Sequence, residues 1–148
     1  MTIRHGNSRA QRLGFTLLEL MIVLAVLTIL ASIAYPSYKN FVVRTSREAA
    51  ESQLQALANL QEKIFLNSGK YSTSVTGAYT GQSTGGLGST GRTVDTYYTI
   101  AFATGASDTV FKLVAHPDTG PPIGDGDITI EQNGKREWTP SSGPVKSW

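Results

Sequence analysis

Glu19 is the one charged side chain in the run Phe15–Ala34. A helix of twenty residues spans about 30 Å, the thickness of a bilayer's hydrocarbon core. The run's twelve Leu, Ile, Val and Phe residues favour insertion by about 4–7 kcal/mol together, at about 0.3–0.6 kcal/mol each. One ionisable group costs about 2.5–3.5 kcal/mol at the bilayer centre and less near a helix end. The run therefore inserts despite Glu19. A carboxylate kept at that cost marks a functional position, and it sits four residues beyond the boundary Gly14-Phe15.

The other side chains able to do chemistry form no catalytic set. His5 lies in the polar start of the chain, and His116 stands before Pro117 as a surface residue at a strand end. No cysteine is present and no Ser sits in a nucleophile-elbow pattern. Asp118, Asp125 and Asp127 lack the ligand spacing of a calcium loop, and Gly-Asp-Gly-Asp reads first as a turn. The six glycines from Gly77 to Gly91 are followed by no Gly-Lys-Ser/Thr, so no phosphate loop is expected. The expectation is a protein that is not an enzyme, with no metal and no cofactor. Lys112, Lys135 and Arg136 are expected together on one sheet edge, where charge blocks strand addition.

The elements that must position these residues follow from periodicity. Pro36 predicts a kink or local melting just after the apolar run, because it lacks an N–H and clashes with the preceding turn. Beyond it Ala50, Leu54, Leu57, Ala58, Gln61, Ile64 and Phe65 recur at helical spacing and form an apolar stripe. Arg44, Arg47, Glu48 and Glu51 read as a solvated, mildly paired face. Asn67-Ser68-Gly69 ends the helix. The glycine-rich segment 70–96 reads as a surface loop with little to offer a core. Strands are expected over Tyr97–Ala103, Thr109–Ala115, Asp127–Gln132 and Lys135–Thr139, with a turn at Gly105–Asp108, a crossover loop at His116–Asp125 and a hairpin at Asn133-Gly134. Ile128 and Ile130 would face the helix stripe, and Trp148 would dock the tail 140–148. The fold class is α+β: a long N-terminal helix, its apolar half spanning a membrane, packed on a four-stranded antiparallel sheet.

Gly14-Phe15-Thr16-Leu17-Leu18-Glu19-Leu20, behind the acid-free basic leader with Arg4, Arg9 and Arg12, resembles the class III signal of type IV prepilins and pseudopilins. An ordinary secretory signal is cut after its apolar segment; here the landmark precedes it. The resemblance implies cleavage after Gly14 by a membrane peptidase, N-methylation of Phe15, and a charge pair in the filament between Glu19 and the Phe15 amine of a neighbouring subunit. It extends to the helix-breaking residue near Pro36, to the Asn-Ser-Gly-Lys-Tyr helix exit and to the terminal hairpin with Gly134 and Trp138, which look like the minor-pilin branch. It implies a leader at 1–14, a membrane and filament-core half of the helix at 15–43, and a globular head at 44–148 with its sheet at 97–139. The chain departs from the many pilins whose C-terminal region is closed by a disulfide, so pairing and packing alone must hold that region.

Composition limits the partners. The chain has 13 Lys and Arg against 11 Asp and Glu, with a pI near 9.0. The excess sits in the leader arginines, and the body from Phe15 onward is close to neutral. Net charge alone does not support a nucleic-acid partner. The reading is a structural type IV pilus subunit, with minor-pilin roles in assembly and hence motility, adhesion or DNA uptake. Its partners are other pilin subunits, the prepilin peptidase and methylase, the inner-membrane assembly platform and, before assembly, membrane lipid. The head is expected in the periplasm and then on the extracellular fibre. The rivals are a pseudopilin of a secretion system, favoured by a loop calcium site, and a DNA-binding receptor at the pilus tip, favoured by a coherent basic stripe.

Overall fold

The computed structural model describes residues 15–148, so the leader 1–14, Gly14 and His5 lie outside the described residues. One helix, α1 (Leu17–Ser68), is followed by four strands: β1 (Tyr98–Phe102), β2 (Lys112–Pro117), β3 (Asp127–Glu131) and β4 (Arg136–Thr139). Compactness separates a unit ending at Ser37 from a unit comprising Tyr38–Trp148.

In the first unit every described side chain is exposed, and the helix is long and apolar enough there to cross a membrane. Thr28 and Ser32 donate their hydroxyls to the carbonyls of Leu24 and Ile29 at 2.6 and 2.7 Å. That is how a hydroxyl is accommodated where no water can serve it. Pro36 stands inside the helix. The local melting expected there is absent, because one missing N–H removes only one bond from a long cooperative helix.

The second unit has one core. Ala50, Leu54, Leu57, Ala58 and Ile64 of α1 pack with Tyr98, Ile100, Leu113, Ala115, Ile128 and Ile130 of the sheet. The strands pair antiparallel in the order β1-β2-β3-β4. Their register lines up Ile100, Ala115, Ile128 and Trp138 in one row and Phe102, Leu113, Ile130 and Arg136 in the next. Alternation along each strand therefore turns one face to the helix. Phe65, expected on the stripe, is partly exposed and stacks on Tyr71, with ring centroids 4.7 Å apart.

Three expectations are corrected. Segment 70–96 is more than a surface loop: Tyr71, Val75 and Leu87 are buried in the core. The buried Gln61 amide brackets Ser72, donating to its carbonyl at 2.7 Å and accepting its N–H at 2.9 Å. Single core residues spaced among Gly and Ser leave no periodic signal, which is why the segment reads as empty. β2 begins later than expected and runs through His116 to Pro117; beyond Ala115 it has no partner in β3, so the missing Pro117 N–H costs no bond on that side. Finally, Lys112 lies on the interior strand β2, apart from Lys135 and Arg136, and each lysine has its own partner: Lys112 with Glu131 at 3.2 Å and Lys135 with Glu137 at 2.8 Å.

Both sheet edges are covered. Segment 91–93 pairs with β1, through Ile100 N–H to Gly91 at 2.7 Å and Thr93 N–H to Tyr98 at 2.9 Å. The tail pairs with β4, where Trp138 and Lys146 exchange backbone bonds of 2.7 and 2.9 Å. Covered edges do not template association with other chains.

Candidate filament helix and nucleic-acid interface

Two surfaces can do chemistry, one in each unit. At the start of the first, Thr16 Oγ1 accepts the Glu19 N–H at 3.2 Å, capping an orphan donor of the first turn. Thr16-Leu17-Leu18-Glu19 has the spacing of a capping box, a signal the sequence reading did not use. Glu19 lies in the first turn of α1, where a carboxylate also complements the helix dipole. Among the described residues its carboxylate has no ion-pair partner. Phe15 beside it is 82 % exposed. Gly14, on the other side of the expected cleavage bond, lies outside the described residues.

In the second unit Arg47, expected on a solvated helix face, is instead drawn inward. Its guanidinium grips Asp125 with two nitrogens, Nε donating to Oδ2 at 2.7 Å. The side chains are 19 % and 8 % exposed. Tyr98 donates its hydroxyl to the same carboxylate at 3.0 Å, and Trp138 donates Nε1–H to the Asp125 carbonyl at 2.9 Å. The guanidinium carbon lies 3.5 Å from the Trp138 ring centroid, a cation–π contact. Hydrogen bonding to Asp125 raises the Arg47 pKa further, and burial pushes the Tyr98 phenol and the nearby Glu51 carboxyl up. One ion pair thus ties α1, β1, the crossover loop and β4 together. Gly126, at φ +103°, lets the chain beside Asp125 pass close to the end of β4: a Cβ there would collide with the Thr139 carbonyl.

Asp118, Asp125 and Asp127 do not converge. Asp118 pairs with Arg92 at 2.9 Å, Asp125 with Arg47, and Asp127 with His116 Nδ1 at 2.6 Å. Among the described residues no group of His, Cys, Asp or Glu is placed to hold a metal ion. His116 is an exposed strand residue, and Asp127 is its partner.

The Asp125 node fixes Trp138, and Trp138 organises a cationic surface. Lys146 Nζ lies 5.1 Å from the Trp138 ring and Arg136 Cζ lies 5.4 Å from the Trp148 ring. Trp148 is docked, donating Nε1–H to the Glu137 carbonyl at 3.1 Å. Lys135, Arg136 and Lys146 are exposed around a shallow cleft of about 440 Å³. Three cations, one neighbouring acid (Glu137) and a partly exposed indole make a surface suited to phosphate oxygens and to stacking on bases. Neutral net charge concealed it: pairing of β4 with the tail, not sequence adjacency, brings Lys146 to Arg136.

Comparison with known proteins adds a family. Residues 36–125 match the family described as "Type IV minor pilin ComP, DNA uptake sequence receptor". Residues 9–35 match the prokaryotic N-terminal methylation motif. The type IV major pilin protein PilA of Myxococcus xanthus is 44% identical over 72 residues, covering 49% of this chain and 32% of that protein. A fimbrial protein of Pseudomonas aeruginosa is 43% identical over 68 residues, 46% of this chain and 44% of its own length. A fimbrial protein of Neisseria meningitidis is 33% identical over 97 residues, 66% of this chain and 57% of its own. The chain thus spans from about a third to just over half the length of these relatives.

Proposed function

This chain belongs to the type IV pilin family, in the minor-pilin branch, and we propose on that premise that it is a minor pilus subunit whose head binds DNA. The leader is removed after Gly14 and Phe15 becomes the methylated N-terminus. The apolar helix holds the subunit in the inner membrane, head in the periplasm, until the assembly platform passes it into the fibre. There lipid contacts are exchanged for contacts with the helices of other subunits. Glu19 pairs with the Phe15 amine of a neighbour; either charge left alone in an apolar core costs several kcal/mol, so the pair enforces register more than it adds stability. The role is structural and not catalytic.

The observation that carries the DNA reading is the cationic surface of Arg136, Lys135 and Lys146 around Trp148 on a body whose remaining charge is net negative. The family match supports it, although this surface lies beyond the matched residues 36–125. Phosphate contacts release counterions, so about three contacts give a slope of log affinity against log salt of roughly −3 on duplex DNA. Fluorescence anisotropy of labelled duplex DNA with the full chain at graded salt tests this. Arg136→Ala is expected to weaken binding across sequences and to reduce the slope by about 1. Binding that is absent, or unchanged in Arg136→Ala, rejects this surface.

A further inference from the structure

We propose that Asn133 is a site of covalent modification by intramolecular deamidation, with Gly134 as the nucleophile's residue and solvent water as co-reactant. Asn133-Gly134 is the chain's one Asn-Gly pair. A glycine leaves its backbone nitrogen unshielded by any Cβ. Both residues are exposed at the tip of the β3–β4 hairpin, and nothing lies within 4 Å of where a Gly134 Cβ would stand. A five-membered ring and an attacking water both have room there.

The amide is held by two contacts that suit the reaction. The Lys135 N–H donates to Asn133 Oδ1 at 2.8 Å, aimed at the oxygen that gains negative charge when Cγ is attacked. Asn133 Nδ2 donates to Glu131 Oε2 at 3.2 Å. Lys112 holds the Glu131 carboxyl below its usual range, so an ionised acceptor orients the departing nitrogen. The Gly134 nitrogen loses its proton to a base in solution and bonds to Cγ. The Cγ–Nδ2 bond breaks, and the nitrogen takes a proton from water and leaves as ammonia. Water then opens the cyclic imide at either carbonyl, giving aspartate or isoaspartate. One water is consumed, one ammonia is released, and nothing is oxidised or reduced.

The Gly134 N–H is donated to the Glu131 carbonyl at 2.9 Å, so the turn must open before attack. Exposed loop tips open at far lower free energy than core strands. The other described asparagines precede Phe41, Leu60 and Ser68 within α1, where helical hydrogen bonding and a following side chain restrain the attack. The product places a new negative charge next to Lys135 and Arg136, and isoaspartate also lengthens the turn's backbone.

The test is incubation of the full chain in detergent at mildly alkaline pH, with mass analysis over time of the tryptic peptides Leu113–Lys135, Glu48–Lys63 and Ile64–Lys70, which carry Asn133, Asn59 and Asn67. The expected result is conversion at Asn133 ahead of Asn59 and Asn67, as a mixture of aspartate and isoaspartate, and none in Asn133→Ser. An intact Asn133 in the folded chain, once a denatured sample of the same chain has converted, overturns the proposal. Its effect on DNA rests on the reading given under Proposed function and is measured separately: Asn133→Asp is expected to lower DNA affinity by up to about tenfold. Conversion without that loss leaves the modification site standing and counts against the DNA surface.

Discussion

Asp125→Ala removes the carboxylate on which four elements of the head converge. Arg47 loses both its hydrogen bonds and Tyr98 loses its acceptor, while the Asp125 carbonyl still receives Trp138 Nε1–H. Breaking a buried pair by deleting one partner costs about 3–5 kcal/mol, and an unsatisfied buried hydroxyl costs about 1–3 kcal/mol. Arg47 keeps 19 % exposure and its seat on Trp138, which discounts the summed lower end of about 4 kcal/mol to about 3 kcal/mol. For a head of this size that is a fall in Tm of roughly 12 °C. The assay is thermal unfolding of a fragment comprising residues 44–148, followed by circular dichroism. Arg47→Met in the same background removes the stranded charge and is expected to recover about half of the loss. A shift in Tm of less than about 2 °C for Asp125→Ala, or no recovery in the double variant, would refute the clamp.

Leu57→Ala, which empties a buried position between helix and sheet, is expected to cost about 2–5 kcal/mol in urea unfolding of the same head; unchanged stability would mean that the stripe faces elsewhere. The buried Tyr98 phenol titrates above its usual range in the folded head. Its contribution is therefore fully present below the unfolded value of about 10 and is lost as pH rises beyond it. A pH series of unfolding midpoints should fall above about pH 10, and Tyr98→Phe should flatten that fall. Glu19→Ala is expected to leave membrane insertion intact and to lower the share of subunit recovered in sheared pili, because an incoming Phe15 amine then meets no carboxylate; Glu19→Asp should partly restore it.

The helix, the four strands and the Asn133-Gly134 hairpin were legible because each carries a period or a turn signal a few residues long. The helix stripe ran as expected from Ala50 to Ile64, and the strands differed from expectation mainly at their ends. What lay outside the reach of sequence was every pairing that depends on tertiary register. Arg47 meets Asp125 across 78 positions, and as one charge among four on a helix it gave no sign of facing inward. Lys146 meets Trp138 only because the tail closes the β4 edge. The core residues of segment 70–96 were hidden by their glycine-rich surroundings. Net charge has a related limit: a sum over the chain says nothing about where folding concentrates one sign.

The central claim is that this chain is a processed subunit of a type IV pilus, and intact-mass analysis of the protein recovered from sheared pili tests it most directly. The account predicts a chain that begins at N-methylated Phe15, with residues 1–14 gone, and predicts that a bulky substitution at Gly14 leaves the leader attached and the subunit in the membrane. Recovery of a chain that retains its leader in the fibre, or of one cut at a different bond, would contradict it.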